Sequence, residues 1–340
     1  MIILTSIFLL VAMSAYTVFG GADFGGGILE ASLVGHQKLQ KRLQATLAPV
    51  WEANHVWLIA VVVIMFVGFP IFYAQALTRL YIPVYLALLA IMLRGVFFTF
   101  RKYDPAPEAW QWGYSFLFRF SSFMAPVFFG FIVSGLMSEH CGSPTKLPEQ
   151  VEFVAIYITP WFNGFGAICG LFIAFLFATL ASVFFYGELL EDEVENREIL
   201  AKRIKIFFGL TFATGGLVLC VGGLSGRVPW SAALNPFQVL LQTLAGIGTI
   251  FLFRALKHGK TWWLRMLVGL QTLCILGGWT TVQWPNLIKT ANGNLTVFDA
   301  AAPLVTLKLL VIGMVVVLAL VLPALVMLYK VFHRSSEPQH

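Results

Sequence analysis

The stretch VWEANHVWLIAVVVIMFVGFPIFY, residues 50–73, combines a polar first turn with a long apolar run. A helix needs about 20 mostly apolar residues to cross a bilayer, and this run is long enough to do so. The whole chain has the same character, since 59% of its 340 residues are hydrophobic and only 11% are charged. A soluble domain has about 25% charged residues. The sequence therefore predicts an all-α, polytopic membrane protein.

Similar apolar runs recur along the chain and are separated by short polar segments. We expect each run to form one transmembrane helix, and all of them to belong to a single integral membrane domain, 1–340. The predicted helices cover residues 2–33, 50–73, 77–100, 114–136, 162–186, 204–224, 233–256, 262–280 and 303–332. The polar segment 186–205 predicts a short surface helix, with Glu193 and Glu198 each four residues before a basic residue.

Lysine and arginine are distributed unevenly between the predicted loops. Of the 22 basic residues, 15 fall in the segments on one side of the predicted membrane and four in those on the other side. Short cytoplasmic loops carry the excess of basic residues in membrane proteins. The sequence thus predicts an outer N-terminus and a cytoplasmic C-terminus. The same asymmetry explains the net charge of +6, so we expect no nucleic-acid partner.

Several ionisable residues in the predicted helices fall near the cytoplasmic side under this orientation. They are Asp23, Glu52, His55, Arg94 and Arg119, from four successive helices. Ionisable groups in the hydrocarbon core are costly and mark a pathway, a ligand site or a buried ion pair. A buried carboxylic acid is able to carry a proton, so Asp23 and Glu52 are candidate proton carriers. The alternative is that Glu52 pairs with Arg94 or Arg119 and only holds helices together.

The residues around Glu52 complete the candidate site. We expect Asn54 and His55 to hold water or to tune the acids, although His55 has the further option of bonding to a backbone carbonyl. Trp51 and Trp57 flank the pair, and Trp57, which lies deeper, is expected to pack within the protein.

Asp23 lies in a glycine-rich segment, GGADFGGG, at 20–27. Gly21 and Gly25 have the GxxxG spacing that lets a second helix approach closely. We therefore expect Asp23 to be held against a neighbouring helix and away from lipid. Close packing explains the glycines, but it does not explain the acid.

The Glu-x-x-His spacing of Glu52 and His55 also occurs in the di-iron sites of four-helix bundles. Such a site needs a second Glu-x-x-His and two further glutamates, and the only other match, Glu337 and His340, lies in the polar tail. Five of the six histidines fall in loops or tails, which argues against a haem held by two histidines of this chain. We expect neither a metal site nor a haem ligand in this chain.

Five segments together resemble subunit II, the non-haem subunit, of cytochrome bd-type quinol oxidases. They are GGADFGGGIL at 20–29, APVWEANHVWLI at 48–59, LRGVFFTFRK at 93–102, WFNGFGAICGL at 161–171 and TVFDAAAPLVTLKLL at 296–310. The resemblance extends from about residue 10 to 332, and it leaves membership of the cyanide-insensitive oxidase-like branch open. It implies a nine-helix subunit, which we expect to form two four-helix bundles plus one extra helix.

The resemblance implies that the chain is one subunit of a respiratory terminal oxidase and is inactive when isolated. A haem-bearing subunit I would form a heterodimer with it in a bacterial or archaeal cell membrane. That subunit would bind haems b and d, or b only, oxidise the quinol substrate and reduce oxygen to water. The present chain would support it and provide a proton route from the cytoplasm. A small single-helix subunit, bound lipid and a quinone held by this chain are left open.

The chain departs from the family pattern at positions that bear on this route. The family's acids fall on Asp23 and Glu52, but a further aspartate of its first-helix element is replaced by Gly20, and His55 stands where the family commonly has glutamate. An acid that some members have in the third helix is Thr99 here. Two other functions remain as alternatives: a secondary transporter with buried acids, and a purely structural scaffold of the oxidase.

Overall fold

The computed structural model describes residues 1–47, 51–104, 108–138, 153–190, 193–289 and 293–334. At 47, 51–53, 108, 109, 325, 326 and 328–334 it describes the helix but not the side chains. The helices are α1 (Ile2–Ala15), α2 (Gly21–Ser32), α3 (Gln37–Leu47), α4 (Trp51–Gly68), α5 (Pro70–Arg79), α6 (Tyr81–Tyr103), α7 (Glu108–Leu136), α8 (Phe153–Tyr157), α9 (Gly164–Tyr186), α10 (Val194–Leu224), α11 (Trp230–Ala233), α12 (Pro236–Lys257), α13 (Thr261–Gln283) and α14 (Leu304–Arg334). Strands β1 (Asn286–Ile288) and β2 (Leu295–Thr296) pair in an antiparallel hairpin.

Within the described ranges, seven helices are long and apolar enough to cross a membrane, and a bent pair makes an eighth if it forms one span. The chain is therefore an all-α, polytopic membrane protein, as predicted. The predicted run 262–280 forms α13, which has the length of a span. It is not among these spans because polar residues such as Arg265 and Gln271 lower its hydropathy. Nine transmembrane helices thus stay a prediction.

The first span is continuous from Ile2 to Ser32 and contains a π-helical turn, Tyr16–Gly20, between α1 and α2. Glycines of α2 let the backbone of α9 approach closely. A Cβ atom added at Gly25 would lie only 1.8 Å from the main-chain oxygen of Phe177, and one at Gly21 would lie 2.6 Å from the Phe177 ring. This contact confirms the close helix packing predicted from the glycine spacing.

The second predicted run, 50–73, is broken in the structure. Helix α4 ends at Gly68, and α5 leaves at 112° to it after Phe69. Proline has no backbone N–H and cannot continue a helix, but its fixed φ angle suits the first position of a new one. Pro70 therefore ends α4 and starts α5. The predicted end at 73 was wrong, and the next helix begins at Tyr81 instead of 77.

The polar segment 186–205 does not form a separate surface helix. Helix α10 begins at Val194 and continues through the predicted run 204–224 as one helix of 31 residues. Glu193 precedes this helix and pairs with Arg42 of α3, not with Arg197 as the spacing suggested. Arg197 instead lies over the ring of Tyr186, 5.2 Å from its centroid. The ion pair between Glu193 and Arg42 of α3 therefore forms in place of the expected pair between Glu193 and Arg197.

Helix α9 lies at the centre of the molecule, and most of its residues are buried. It packs against α2, α7 and α10, while α6 packs along α7 and α12 pairs with α13. Helix α1 contacts α4 and α14. The expected division into two four-helix bundles plus one helix stays a prediction. Arg42, Arg101, Arg197 and Arg265 lie at the same end of the molecule as Ser32, the last residue of α2. We call this the basic end.

Arg227, in the loop after α10, ties several segments together at the end opposite the basic end. Its Nη1 donates to Ser134 Oγ at 2.8 Å and to Asn163 Oδ1 at 2.9 Å. Lys289 Nζ donates to the main-chain oxygen of Arg227 at 2.8 Å. Burial lowers the pKa of Arg227 from its ordinary value, partly offset by the nearby Cys169 thiol. The contacts join α7, α9 and the segment that follows β1.

Candidate functional site

Two buried carboxylates lie on one face of α2, seven residues apart. These are Asp23 and Glu30, and seven residues correspond to about two helical turns. Arg94 and Arg101 have the same spacing in α6. Asp23 pairs with Arg94 and Glu30 with Arg101, so α2 and α6 run parallel in this region and their charges meet in register. With Arg119 of α7, these four residues form what we call the acid–arginine cluster.

Asp23 and Arg94 form the deeper pair of the cluster. Arg94 Nη2 donates to Asp23 Oδ1 at 2.7 Å and to the main-chain oxygen of Asp23 at 3.0 Å. Only 4% of the Asp23 side chain and 2% of the Arg94 side chain are exposed. The guanidinium also lies over the rings of Phe24 and Phe118, at 5.1 and 5.3 Å from the centroids. The aromatic faces add cation–π attraction where water is excluded.

Glu30 lies between two arginines nearer the basic end, and its side chain is fully buried. Arg101 Nη1 donates to both carboxylate oxygens at 2.9 Å, and Arg119 Nε donates to Oε1 at 2.9 Å. Arg101 also covers the Phe118 ring at 4.2 Å. Phe118 therefore separates the two arginines of α6 and contributes one aromatic ring to both.

The cluster contains three arginines and two carboxylates among the side chains that the structure describes. A buried ion pair is costly to break, because removal of one partner leaves an uncompensated charge and destabilises a protein by about 3–5 kcal/mol. The arrangement therefore holds α2, α6 and α7 in a defined register. It also places two carboxylates, about two helical turns apart, between the basic end and the interior.

Buried polar atoms without a hydrogen-bond partner in the described part of the chain accompany this row. They are Tyr16 Oη, Arg94 Nε, Arg101 Nη2 and Ser122 Oγ. Ser122 faces the middle of the row, since a Cβ atom at Gly27 would meet its hydroxyl at 2.3 Å. Buried polar groups are normally satisfied by protein atoms or by water. A row of acids with such groups beside it has the chemistry of a hydrated proton path.

The residues predicted from the second helix adjoin the same row. Asn54 is buried, and its Nδ2 donates to the main-chain oxygen of Phe19 at 3.2 Å in the π-helical turn. His55 is half-buried and interacts electrostatically with Asp23. Trp57 is buried in the core, as predicted.

Glu52 and Trp51 lie in the first turn of α4, but their side chains fall outside the described residues. Arg94 and Arg119, which we considered as partners of Glu52, bond to Asp23 and Glu30. The structure thus brings Asp23, Arg94 and Arg119 into one cluster with the start of α4 beside it.

Three members of this site were not predicted from the sequence. Glu30 and Arg101 lie near the ends of their apolar runs and resemble interfacial residues there, and Tyr16 resembles an ordinary aromatic residue of the span. One available signal was the matched spacing of seven residues between Asp23 and Glu30 and between Arg94 and Arg101. Acids and bases that repeat at the same interval are able to pair between parallel helices.

The described residues contain no group of three or more His, Cys, Asp or Glu side chains placed to hold a metal ion. His36, His55 and His258 are the histidines whose side chains the structure describes, and of these only His55 lies in a long apolar helix. These residues do not fit a haem with two histidine ligands.

Comparisons with known proteins agree on one family. Residues 1–332 match the family described as cytochrome bd terminal oxidase subunit II. The chain is 26% identical over 326 residues to cytochrome bd ubiquinol oxidase subunit 2 of Bacillus subtilis, which covers 92% of this chain and 90% of the relative. It is 23% identical over 364 residues to cytochrome bd-I ubiquinol oxidase subunit 2 of Escherichia coli K12, covering 96% and 93%.

A solved structure has a similar fold. The bd oxidase from Geobacillus thermodenitrificans contains a chain that superposes with a TM-score of 0.76 and is 17% identical in sequence. The match covers 97% of the present chain and 98% of the other one. At this identity the likeness concerns the fold alone.

Proposed function

The chain belongs to the cytochrome bd terminal oxidase subunit II family, and we propose that it supplies a proton-uptake route to a partner subunit that reduces oxygen to water with electrons from a quinol. It is a subunit of a respiratory terminal oxidase in a bacterial membrane. The observation that carries the proposal is the buried carboxylate of Asp23, which lies inward of Glu30 and beside polar atoms that have no hydrogen-bond partner among the described residues.

The route begins at the basic end, which we place in the cytoplasm because short cytoplasmic loops carry the excess of basic residues. The N-terminus is then outside and the C-terminus inside. Glu52, in the first turn of α4, is the acid that we assign to proton uptake from this side. Asp23 is the other carrier, and Asn54 and His55, which follow Glu52 in α4, hold the local water and charge.

Arg94 makes Asp23 usable as a carrier because it holds two different oxygens of this residue. When a proton neutralises the carboxylate, the bond to Oδ1 weakens, but the bond to the main-chain oxygen does not depend on the carboxylate charge. Arg94 therefore stays in place while the proton arrives and leaves. A guanidinium keeps its own protons at any physiological pH, so it orients the acid and is not itself a carrier.

Glu30 has a different role in this proposal. Its carboxylate accepts hydrogen bonds from both Arg101 and Arg119, so two cations are bound to it at once. We assign it to holding α2, α6 and α7 together at the entrance. Trp51 and Trp57 have a supporting role beside the acids in this proposal, and Trp57 packs in the core.

The haems belong to the partner in this proposal, because the described residues do not offer a suitable pair of ligands. Haem b, with haem d or without it, would supply the electron transfer and oxygen chemistry in the haem-bearing subunit I. The isolated chain is then inactive, and the active unit is the heterodimer. Membrane lipid surrounds both subunits, while a small single-helix subunit and a quinone held by this chain are compatible additions.

A test of the proton role compares substitutions in the purified heterodimer. Glu52→Gln and Asp23→Asn each remove a titratable group with little change in size. We expect quinol oxidase turnover to fall at least tenfold while the reduced-minus-oxidised haem spectrum is unchanged. Glu198→Gln, at an exposed position of α10, is the matched control and should keep full turnover. Normal turnover in both Glu52→Gln and Asp23→Asn would overturn the proton route.

The structural scaffold is the second candidate function, since the described acids of the cluster are all paired with arginines. It predicts that the same substitutions reduce the amount of assembled oxidase and its haem content, with normal turnover per haem. Membership of an oxidase family favours both of these functions over a secondary transporter. Turnover normalised to haem separates the two.

A further inference from the structure

Tyr16 is a buried residue of the π-helical turn whose hydroxyl the proposed route has not yet used. Its side chain is 9% exposed, and its hydroxyl has no hydrogen-bond partner among the described residues. The ring packs edge-to-face against Phe24 and Phe129, with centroids 6.4 and 6.1 Å away. An apolar aromatic residue would fill this space equally well, so packing does not account for the oxygen.

The ring lies over the helical turn that precedes Asp23. Helical side chains usually lean toward the N-terminus of their helix, but the ring of Tyr16 lies across the next turn, at residue 20. A Cβ atom added at Gly20 would lie 2.9 Å from Cδ2 and Cε2 of Tyr16. Glycine at this position therefore leaves the volume that the phenol ring fills. The hydroxyl comes close enough to interact electrostatically with both Asp23 and Arg94.

The π-helical turn links this tyrosine to the start of α4. Such turns are rare and recur at functional sites because they change the register of a helix locally. Here the main-chain oxygen of Phe19, inside the turn, accepts the hydrogen bond from Asn54. The turn that contains Tyr16 therefore also contacts the polar start of α4. Arg94 Nε, a second buried donor without a described partner, lies on the same cluster.

We propose that the Tyr16 hydroxyl relays protons between Asp23 and the interior of the oxidase, through water held by Tyr16, Asp23 and Arg94 Nε. The proposal rests on the proton route described above and extends it inward by one group. A water in a buried site needs two to four polar partners, and these three groups provide them. The phenol oxygen accepts a proton at a lone pair while its own O–H proton passes to the next acceptor. No net charge is left on the tyrosine.

The phenol takes the position of a carboxylate in this relay. The Tyr16 ring occupies the space in front of Gly20, where a side chain at residue 20 would otherwise lie. A hydroxyl at the end of the ring reaches the neighbourhood of Asp23 from the preceding turn.

The test uses Tyr16→Phe in the assembled heterodimer, because this change keeps the ring and removes only the oxygen. We expect turnover per haem to fall about three- to tenfold, and the solvent deuterium isotope effect on turnover to rise, with unchanged haem spectra and quinol KM. Tyr186→Phe is the matched control, since Tyr186 is also buried, and it should leave both quantities unchanged.

A second pair of variants keeps the inference testable if Tyr16→Phe assembles poorly. Tyr16→Ala removes the ring and should be as slow as Tyr16→Phe. Tyr16→Ala/Gly20→Asp places a carboxylate in the freed space and should recover at least half of the turnover. Failure of this rescue, or wild-type turnover and isotope effect in Tyr16→Phe, would overturn the role of Tyr16. If Glu52→Gln and Asp23→Asn remain slow in that case, the proton route itself still stands.

Discussion

Arg94 Nη2 donates to the carboxylate of Asp23 at 2.7 Å and to the main-chain oxygen of the same residue at 3.0 Å, although 71 residues separate them in the chain. The same sequence separation joins Glu30 to Arg101. Two parallel helices thus carry charges of opposite sign at matched intervals. The pair of Asp23 and Arg94 is deeper and lies beside the polar groups of the proposed route. The pair of Glu30 and Arg101 is nearer the basic end.

Removal of Arg94 should destabilise the protein more than removal of the whole pair. Arg94→Leu leaves the Asp23 carboxylate buried without compensation, which costs about 3–5 kcal/mol. The double variant Asp23→Asn/Arg94→Leu removes both charges and should recover at least half of that loss. Thermal unfolding of the detergent-solubilised heterodimer measures both. A double variant as unstable as Arg94→Leu alone would contradict this account of the pair.

Substitution of Glu30 should affect assembly more than proton delivery. Glu30→Gln leaves Arg101 and Arg119 facing each other across a neutral amide, so the contact between α2, α6 and α7 weakens. We expect a loss of about 3 kcal/mol in stability, and less heterodimer with bound haem in the membrane. Turnover per haem should stay within about twofold of the wild type. A large fall in turnover per haem with normal assembly would place Glu30 among the carriers.

The glycines of α2 should be sensitive to the addition of a single methyl group. At Gly25 a Cβ atom would lie 1.8 Å from the main-chain oxygen of Phe177, so Gly25→Ala must separate α2 from α9. We expect a loss of stability of about 1–3 kcal/mol, as for other overpacked interiors. Gly216→Ala in α10 is the control, because nothing lies within 4 Å of its added Cβ. That variant should be neutral or more stable.

The contact between α3 and the segment before α10 should weaken in acid. Burial alone would raise the pKa of Glu193, but hydrogen bonds from Asn196, the Leu190 amide and Arg42 outweigh it and hold that pKa below its usual value. A lowered pKa stabilises the folded form above the ordinary glutamate pKa of about 4.3, and the stabilisation is lost as the pH falls through the lower, folded value.

The effect at Glu193 should be small because both partners are partly exposed. Exposed pairs contribute about 0.2–1 kcal/mol. Hydrogen exchange of the α3 amides, compared between the wild type and Glu193→Gln, measures it at each pH. Protection in the wild type should exceed that in the variant near neutral pH and converge with it in acid. A constant difference across the whole range would contradict the assignment to this carboxylate.

Much of the architecture could be predicted from apolar runs, but the residues at which the helices begin and end could not. The run 2–33 matches the first span, Ile2–Ser32, almost residue for residue. The run 50–73 contains Pro70, and hydropathy does not register the missing N–H that ends α4 at Gly68. The helix of the run 204–224 starts ten residues earlier, at Val194. Its polar first turns continue the same helix, and Leu200 within them is buried.

The members of the site were predicted unevenly for a related reason. Asp23, Arg94 and Arg119 stand out because each interrupts an apolar run. Glu30 and Arg101 lie where a run meets its loop, and charged residues are common there. Tyr16 looks like any aromatic residue in a span. Two features distinguish it in the structure, its tilt over Gly20 and a hydroxyl that has no hydrogen-bond partner among the described residues.

The sequence by itself determined that this chain is a helical membrane protein of the oxidase subunit II family, because the length of an apolar run and a set of motifs can be read without knowing any contact. Tertiary structure decided which acid meets which arginine. Arg94 pairs with Asp23, and Arg119 joins Arg101 on Glu30, since the close approach of α2 to α9 and the parallel register of α2 and α6 set the distances. Charges in a low dielectric interact with whatever packing brings within a few ångströms, and that partner is not encoded in local spacing.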